Sequence, residues 1–182
     1  MIPLFAHVTL SSDWFDGASA GLLLLRVAMG LTLAAHGYNK FFGGGGISGT
    51  AGWFDSMGMK PGKLNAYMAA STEMGAGILF ALGLLTPLAA AGFVGLMAVA
   101  GYTVHRKNGF FIVKSGWEYN FILALVPVCV AMVGPGRYSL DWAIGFDFAF
   151  EPWLAFAIAA GLGIGGGLAQ LAAFYRPPAD KS

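Results

Sequence analysis

The stretch Ala18 to Gly43, ASAGLLLLRVAMGLTLAAHGYNKFFG, constrains this chain more than any other. It is an apolar run long enough to cross a bilayer. It carries Arg26 inside it and ends in a polar and aromatic cluster, His36-Gly37-Tyr38-Asn39-Lys40-Phe41-Phe42-Gly43. A guanidinium at the centre of a membrane helix costs roughly 2.5–3.5 kcal/mol on insertion scales, so it persists where a partner or a water-filled cavity receives it. The rest of the chain must supply that partner.

Composition agrees with a membrane setting. Only 10% of the 182 residues are charged and 57% are hydrophobic, whereas soluble domains average about 25% charged. Such a chain cannot cover a water-facing surface, and it reads as an integral membrane protein whose first partner is the lipid bilayer. The apolar runs are long and unbroken, which predicts helices and excludes a transmembrane barrel. At roughly 20 residues per span there is room for four or five helices. A net charge of +1 with no basic stripe excludes nucleic acid as a partner. The single cysteine, Cys129, excludes an internal disulfide and a CxxC relay, and its apolar neighbours predict a small packing residue. The opening MIPLFAHVTLSSDWFDG has no basic n-region and places Asp13 and Asp16 before the apolar run, unlike a secretory signal peptide.

In order, the chain divides into an extracytoplasmic, interfacial N-terminus (1–17), a four-helix bundle (18–145), an interfacial connection with a fifth membrane helix (146–175), and a cytoplasmic tail (176–182). Trp14 and Phe15 suit the headgroup layer. A first helix is predicted over 18–38, closed by Gly43 to Gly46. Ile47, Ala51, Phe54 and Met57 recur at helical spacing and predict a short amphipathic helix lying in the interface. A second span over 65–85 contains Glu73, and Thr86-Pro87 then starts a third over 87–104. A fourth covers 117–134, with Glu118 and Asn120 in its first turn and Pro127 as a kink. After the turn at Gly134 to Asp141, a fifth covers 152–175. In it Gly161/Gly165 and Gly163/Gly167 fit the small-xxx-small pattern of a packing face.

With five spans, Lys40, Lys60, Lys63, Arg106, Lys107, Lys114, Arg176 and Lys181 fall on one side and Arg137 alone on the other. The positive-inside rule then places the N-terminus outside and the C-terminus in the cytoplasm of a plasma-membrane protein. Asp13, Asp16, Asp141, Asp147 and Glu151 fall on the outer side.

On this topology Arg26 sits roughly 18 Å from the cytoplasmic end and Glu73 roughly 12 Å, at 1.5 Å per residue. The long arginine stem spans that difference, which predicts an Arg26–Glu73 pair. His36, Lys40, His105, Glu118 and Asn120 arrive at the same end. The candidate ligand-binding set is therefore Arg26, His36, Lys40, Glu73, His105, Glu118 and Asn120, around a polar pocket facing the cytoplasm. Arg26, Gly30, Leu33 and Gly37 share one stripe, with Lys40 about 40° and His36 about 80° from it. Structural explanations stand beside each. A buried ion pair can serve only to fix helix register. Glu118 suits a helix N-terminus, the histidines suit the headgroup layer, and Lys40 and Arg106-Lys107 determine topology. Two histidines without ligand spacing predict no metal site, and His7 lies on the far side, outside any cluster.

The order of motifs adds a resemblance. An intramembrane Arg followed by HGYNKFFG, then Glu73 to Ala90 with LGLLTPLAA, then a Glu at the start of the fourth helix and GPGRYSLD after it, resembles the DoxX family over roughly residues 20–145. The resemblance implies a four-helix membrane bundle linked to redox chemistry. Family members include a thiosulfate:quinone oxidoreductase subunit, quinone and catechol stress proteins, and membrane partners of antioxidant and sulfur-transfer enzymes. This chain departs from that pattern by its fifth helix. It has no cysteine pair and no obvious haem or flavin site, and is expected not to run a redox cycle alone. Three functions follow. The first is the membrane subunit of a quinone-linked or thiol/sulfur oxidoreductase system for oxidative stress, with quinone the candidate cofactor and none bound covalently. The second is an assembly or anchoring subunit holding partner proteins, or a homo-oligomer, through the glycine face. The third is a small transporter, disfavoured because no inverted repeat is visible.

Overall fold

The computed structural model describes residues 12–146 and 151–177. Expectations for His7, Asp147 and Lys181, and for the side chains of Asp13 and Trp14, lie outside the described residues. Among those residues the chain is helical apart from one isolated antiparallel bridge, Met59 to Tyr175. Three helices are long and apolar enough to cross a membrane: Phe15–Phe42, Thr86–Asn108 and Pro152–Phe174. Glu118–Val133 is a shorter apolar helix.

Helix α1 covers Ser12–Phe42, starting before residue 18 and ending after 38. Its predicted stripe is real: Arg26, Gly30, Leu33 and Gly37 are all buried. They face α3, Gly62–Leu82. Gly30 and Gly77 meet across that interface, and a Cβ on either would run into the other helix's backbone, so only glycine permits the approach. The short helix α2, Gly46–Ser56, lies between them in sequence. Its Ile47, Ala51, Phe54 and Met57 share one cluster with Met59, Ala66, Ala69 and Val99, as their spacing predicts.

Helix α4, Thr86–Ala100, is the central element, packed against α3, α5 and α8. It continues into a π-helical turn, Gly101–His105. Helix α5 is Glu118–Val133, with Pro127 buried inside it. Cys129 is exposed on α5, which corrects the expectation of a packed thiol: it lies on the helix face away from the core. After the four-residue helix α6, Leu140–Ala143, comes α7, Pro152–Phe156. A π-helical turn, Ala157–Leu162, leads into α8, Gly163–Phe174. Its glycines divide into two groups. Gly163 and Gly167 press on α4, where a Cβ on Gly163 would lie 2.5 Å from Val94 Cβ, whereas Gly161 and Gly165 have open space. The first pair is thus spent on packing within the chain and is not a free surface for a partner.

Chain direction gives the molecule two ends. The start of α1, the α3–α4 turn and the loop after α5 form the Arg26 end. The loops after α1 and α4 and the end of α8 form the Lys40 end. There Lys60 N donates to Phe174 O (2.8 Å) and Arg176 N to Gly58 O (2.7 Å), tying the last helix to the segment after α2.

Candidate functional site

Arg26 and Glu73 do not meet. Side chains on a helix lean toward its N-terminus, so Arg26 reaches away from the Lys40 end. Glu73 lies near the level of Gly37, whose neighbours across the interface are Ala70 and Met74. That is roughly ten residues, or about 15 Å, from Arg26. The expected pair is therefore corrected, and so is the pocket that would have held Arg26 together with Lys40.

Arg26 is fully buried. Its Nη1 donates to Ala81 O (3.2 Å) and its Nη2 to Tyr138 O (2.6 Å). Gly83, at φ +63°, leaves the space that the guanidinium fills. The acidic group that acts on it electrostatically is Asp141, 2% exposed. Asp141 accepts from Leu85 N (2.8 Å), Thr86 N (3.0 Å) and Thr86 Oγ1 (2.7 Å), and its own N–H donates to Gly83 O (2.8 Å). A carboxylate from α6 thus caps α4, whose own N-cap, Leu85, has no side chain able to do so. Arg26 and Asp141 join α1, the α3–α4 turn and the loop after α5. This is a structural clasp in which Nη1 and Nη2 are each bonded to a carbonyl, while the buried Nε–H has no hydrogen-bond partner among the described residues.

Lys40 is the partner of Glu73. Its Nζ donates to both carboxylate oxygens, at 2.6 and 2.7 Å, with the two side chains 19% and 9% exposed. The same lean toward each N-terminus explains the match, because on antiparallel α1 and α3 it turns Lys40 and Glu73 toward one another. The pair faces a chamber of about 80 Å³, lined also by Trp53, Phe54, Met97, Val99 and Gln170. That volume holds several waters. It is well short of the roughly 300 Å³ at which small-molecule pockets begin. A quinone ring does not fit there.

The remaining candidates disperse. His36 is exposed, beside Glu73 but on the outside of α1. His105 Nδ1 meets Ser115 O at 2.7 Å, and Glu118 Oε2 accepts from Ile112 N at 2.9 Å, so both fasten the loop between α4 and α5. Asn120 is buried and its Nδ2 donates to Met97 Sδ at 3.5 Å. No group of three or more His, Cys, Asp or Glu able to hold a metal occurs among the described residues. Sequence reasoning missed Asp141, Gly83 and Gln170. The first had a signal: GPGRYSLD carries an acid, and the helix start in LGLLTP has no capping side chain at its N-cap, Leu85.

The model of the DoxX family matches residues 21–106. A protein of Bacillus subtilis named "Putative oxidoreductase CatD" is 32% identical over 121 residues, covering 66% of this chain and 84% of its own length. The chain belongs to the DoxX family. A second relative, "Uncharacterized protein" of Haemophilus influenzae, is 25% identical over 148 residues, covering 77% of this chain and 93% of its own. No solved structure matches. The matched DoxX region contains Arg26, Lys40, Glu73, Gly83 and Thr86, so it spans parts of both the clasp and the chamber; Asp141 lies beyond it.

Proposed function

We propose that this DoxX protein is the membrane subunit of an oxidoreductase system, and that Lys40 with Glu73 is its proton-handling element. The observation that carries the reading is the ion pair itself: a lysine and a glutamate held between two helices, facing a chamber with room for water. Ionisable groups in such a place are costly and mark proton or substrate pathways. The relative named as an oxidoreductase supports the redox setting. The lone cysteine assigns electron transfer to a partner or a diffusible carrier rather than to a thiol pair in this chain. The chamber is too small for a quinone ring, so any quinone would be reached elsewhere.

In this reading α1, α3, α4, α5 and α7 with α8 each cross the bilayer, a four-helix bundle with a fifth span. The Lys40 end faces the cytoplasm of a plasma-membrane protein. Lys40, Lys60, Lys63, Arg106, Lys107, Lys114 and Arg176 belong to that end and Arg137 to the other, which supports the orientation.

The test uses membrane vesicles with decyl benzoquinone as acceptor and thiosulfate or dithiothreitol as donor. Vesicles containing the protein are expected to reduce the quinone faster than vesicles lacking it. Glu73→Gln and Lys40→Met should each remove at least nine-tenths of that excess. Equal rates in all four preparations would refute the reading.

A further inference from the structure

We infer that the groove between α4, α5 and α8 is a binding site for a flat, membrane-soluble ligand bearing a carbonyl oxygen, recognised by Asn120. It rests on the oxidoreductase reading only in the choice of a quinone as the probe ligand. The groove is a broad depression open along one side, with a volume of about 420 Å³. Its walls are Tyr102, Trp117, Phe121, Ala124 and Ile164, surfaces suited to a planar ring.

Asn120 is the one uncharged amide in that lining, and it is 8% exposed. A buried amide ordinarily finds strong partners. Here Nδ2 donates to a thioether sulfur at 3.5 Å, a weak acceptor. A carbonyl oxygen entering the groove would be a better one.

The backbone points to the same place. Gly101 and Tyr102, both in the lining, belong to the π-helical turn Gly101–His105. Such turns are rare and occur frequently at functional sites. At one rim the Arg106 guanidinium lies 3.9 Å from the centre of the Tyr102 ring.

Met97 connects this groove to the chamber. It lines both, with Asn120 on one side and Lys40 and Glu73 on the other. A methionine is the most adaptable wall a core can offer. A ligand bonded to Asn120 in place of Met97 Sδ leaves that side chain free to move. The competing cavity, of about 490 Å³ between α3, α4 and α8, has a floor of glycines, and its Gln170 Nε2 already donates to Asn65 Oδ1 at 3.1 Å.

Photolabelling with a decyl benzoquinone carrying a ring azide tests the site on the full chain in detergent or vesicles. Label should map to Tyr102–Arg106 and Trp117–Phe121 and be displaced by plain decyl benzoquinone. Asn120→Leu should weaken binding about five- to tenfold, the worth of one hydrogen bond. Gly101→Leu should abolish it, because its Cβ meets nothing closer than 4.0 Å and the rest of the side chain enters the groove. Gly165→Leu, with open space and outside the groove, should leave binding unchanged. Displaceable label confined to Met68–Thr72 and Gly163–Phe174 would overturn this site while sparing the oxidoreductase reading. No displaceable label anywhere in the unaltered protein would overturn the site, and then the vesicle assay alone decides the function. Should either groove variant fail to fold, the labelling map of the unaltered protein decides the question.

Discussion

At the scale of single residues, the buried Arg26 and the half-buried Lys40 have opposite duties. Arg26 donates to two carbonyls on separate segments, and Asp141 answers it from a third position while capping α4. Removing the guanidinium takes a charged donor from two carbonyls, at about 1.5–3 kcal/mol per bond. Arg26→Ala is therefore expected to lower stability by that amount in thermal unfolding in detergent, and Arg26→Lys to recover only part of it, since an ammonium lacks the planar fork. An unchanged midpoint in Arg26→Ala would remove the clasp from the account. Lys40 and Glu73 form a closed two-member set. Glu73→Gln and Lys40→Met should each destabilise, and the double variant should cost less than the two singles added, by about 1–3 kcal/mol of coupling. That Arg26 needed a partner was legible from its burial in an apolar run. Which partner was not, because depth along the chain was counted from Cα positions. The tilt of each side chain toward its own N-terminus decided the pairing.

At the scale of elements, the glycines of α8 show what a sequence pattern can and cannot say. The two small-xxx-small pairs are identical in spacing, yet Gly163 and Gly167 abut α4 and Gly161 and Gly165 abut nothing within 4 Å. Spacing alone gives a face, and only the neighbouring helix says which face is used. Gly163→Leu is expected to detach α8 from α4, where Val94 and the backbone of Ala91 already fill the space. Limited proteolysis should then cut near the Met59–Tyr175 bridge. Gly165→Leu should resist cleavage like the parent chain. Equal protection in both variants would mean that α8 is held by something other than this contact. The amphipathic helix α2 was readable in full because its four apolar positions need only one surface to pack on, and any bundle offers one. The loop after α4 was less so. His105 and Glu118 carry chemistry-bearing side chains, but both are used on backbone groups of their own loop.

At the scale of the whole molecule, the two polar centres lie at opposite ends of one helix pair. Arg26 and Lys40 are fourteen positions apart on α1, about 21 Å at helical rise, so the clasp and the chamber are separated by most of a bilayer's hydrocarbon. This separation makes orientation consequential, because in the proton-handling proposal the chamber would exchange protons with whichever compartment the Lys40 end faces. The proposed orientation, in which the basic residues face the cytoplasm, puts that end inside the cell. The exposed Cys129 must first be removed as Cys129→Ala, a change on an outward face of α5 that should leave the fold intact. In that background Arg137→Cys, whose parent side chain pairs at the surface with Asp16 (3.0 Å), should react with a membrane-impermeant maleimide on intact cells. Lys60→Cys, at an exposed position after α2, should react only once the membrane is opened. The reverse pattern would turn the molecule over and direct the Lys40–Glu73 chamber outward. A proton taken up there would then come from outside the cell, and the partner supplying electrons would have to be sought on that side as well.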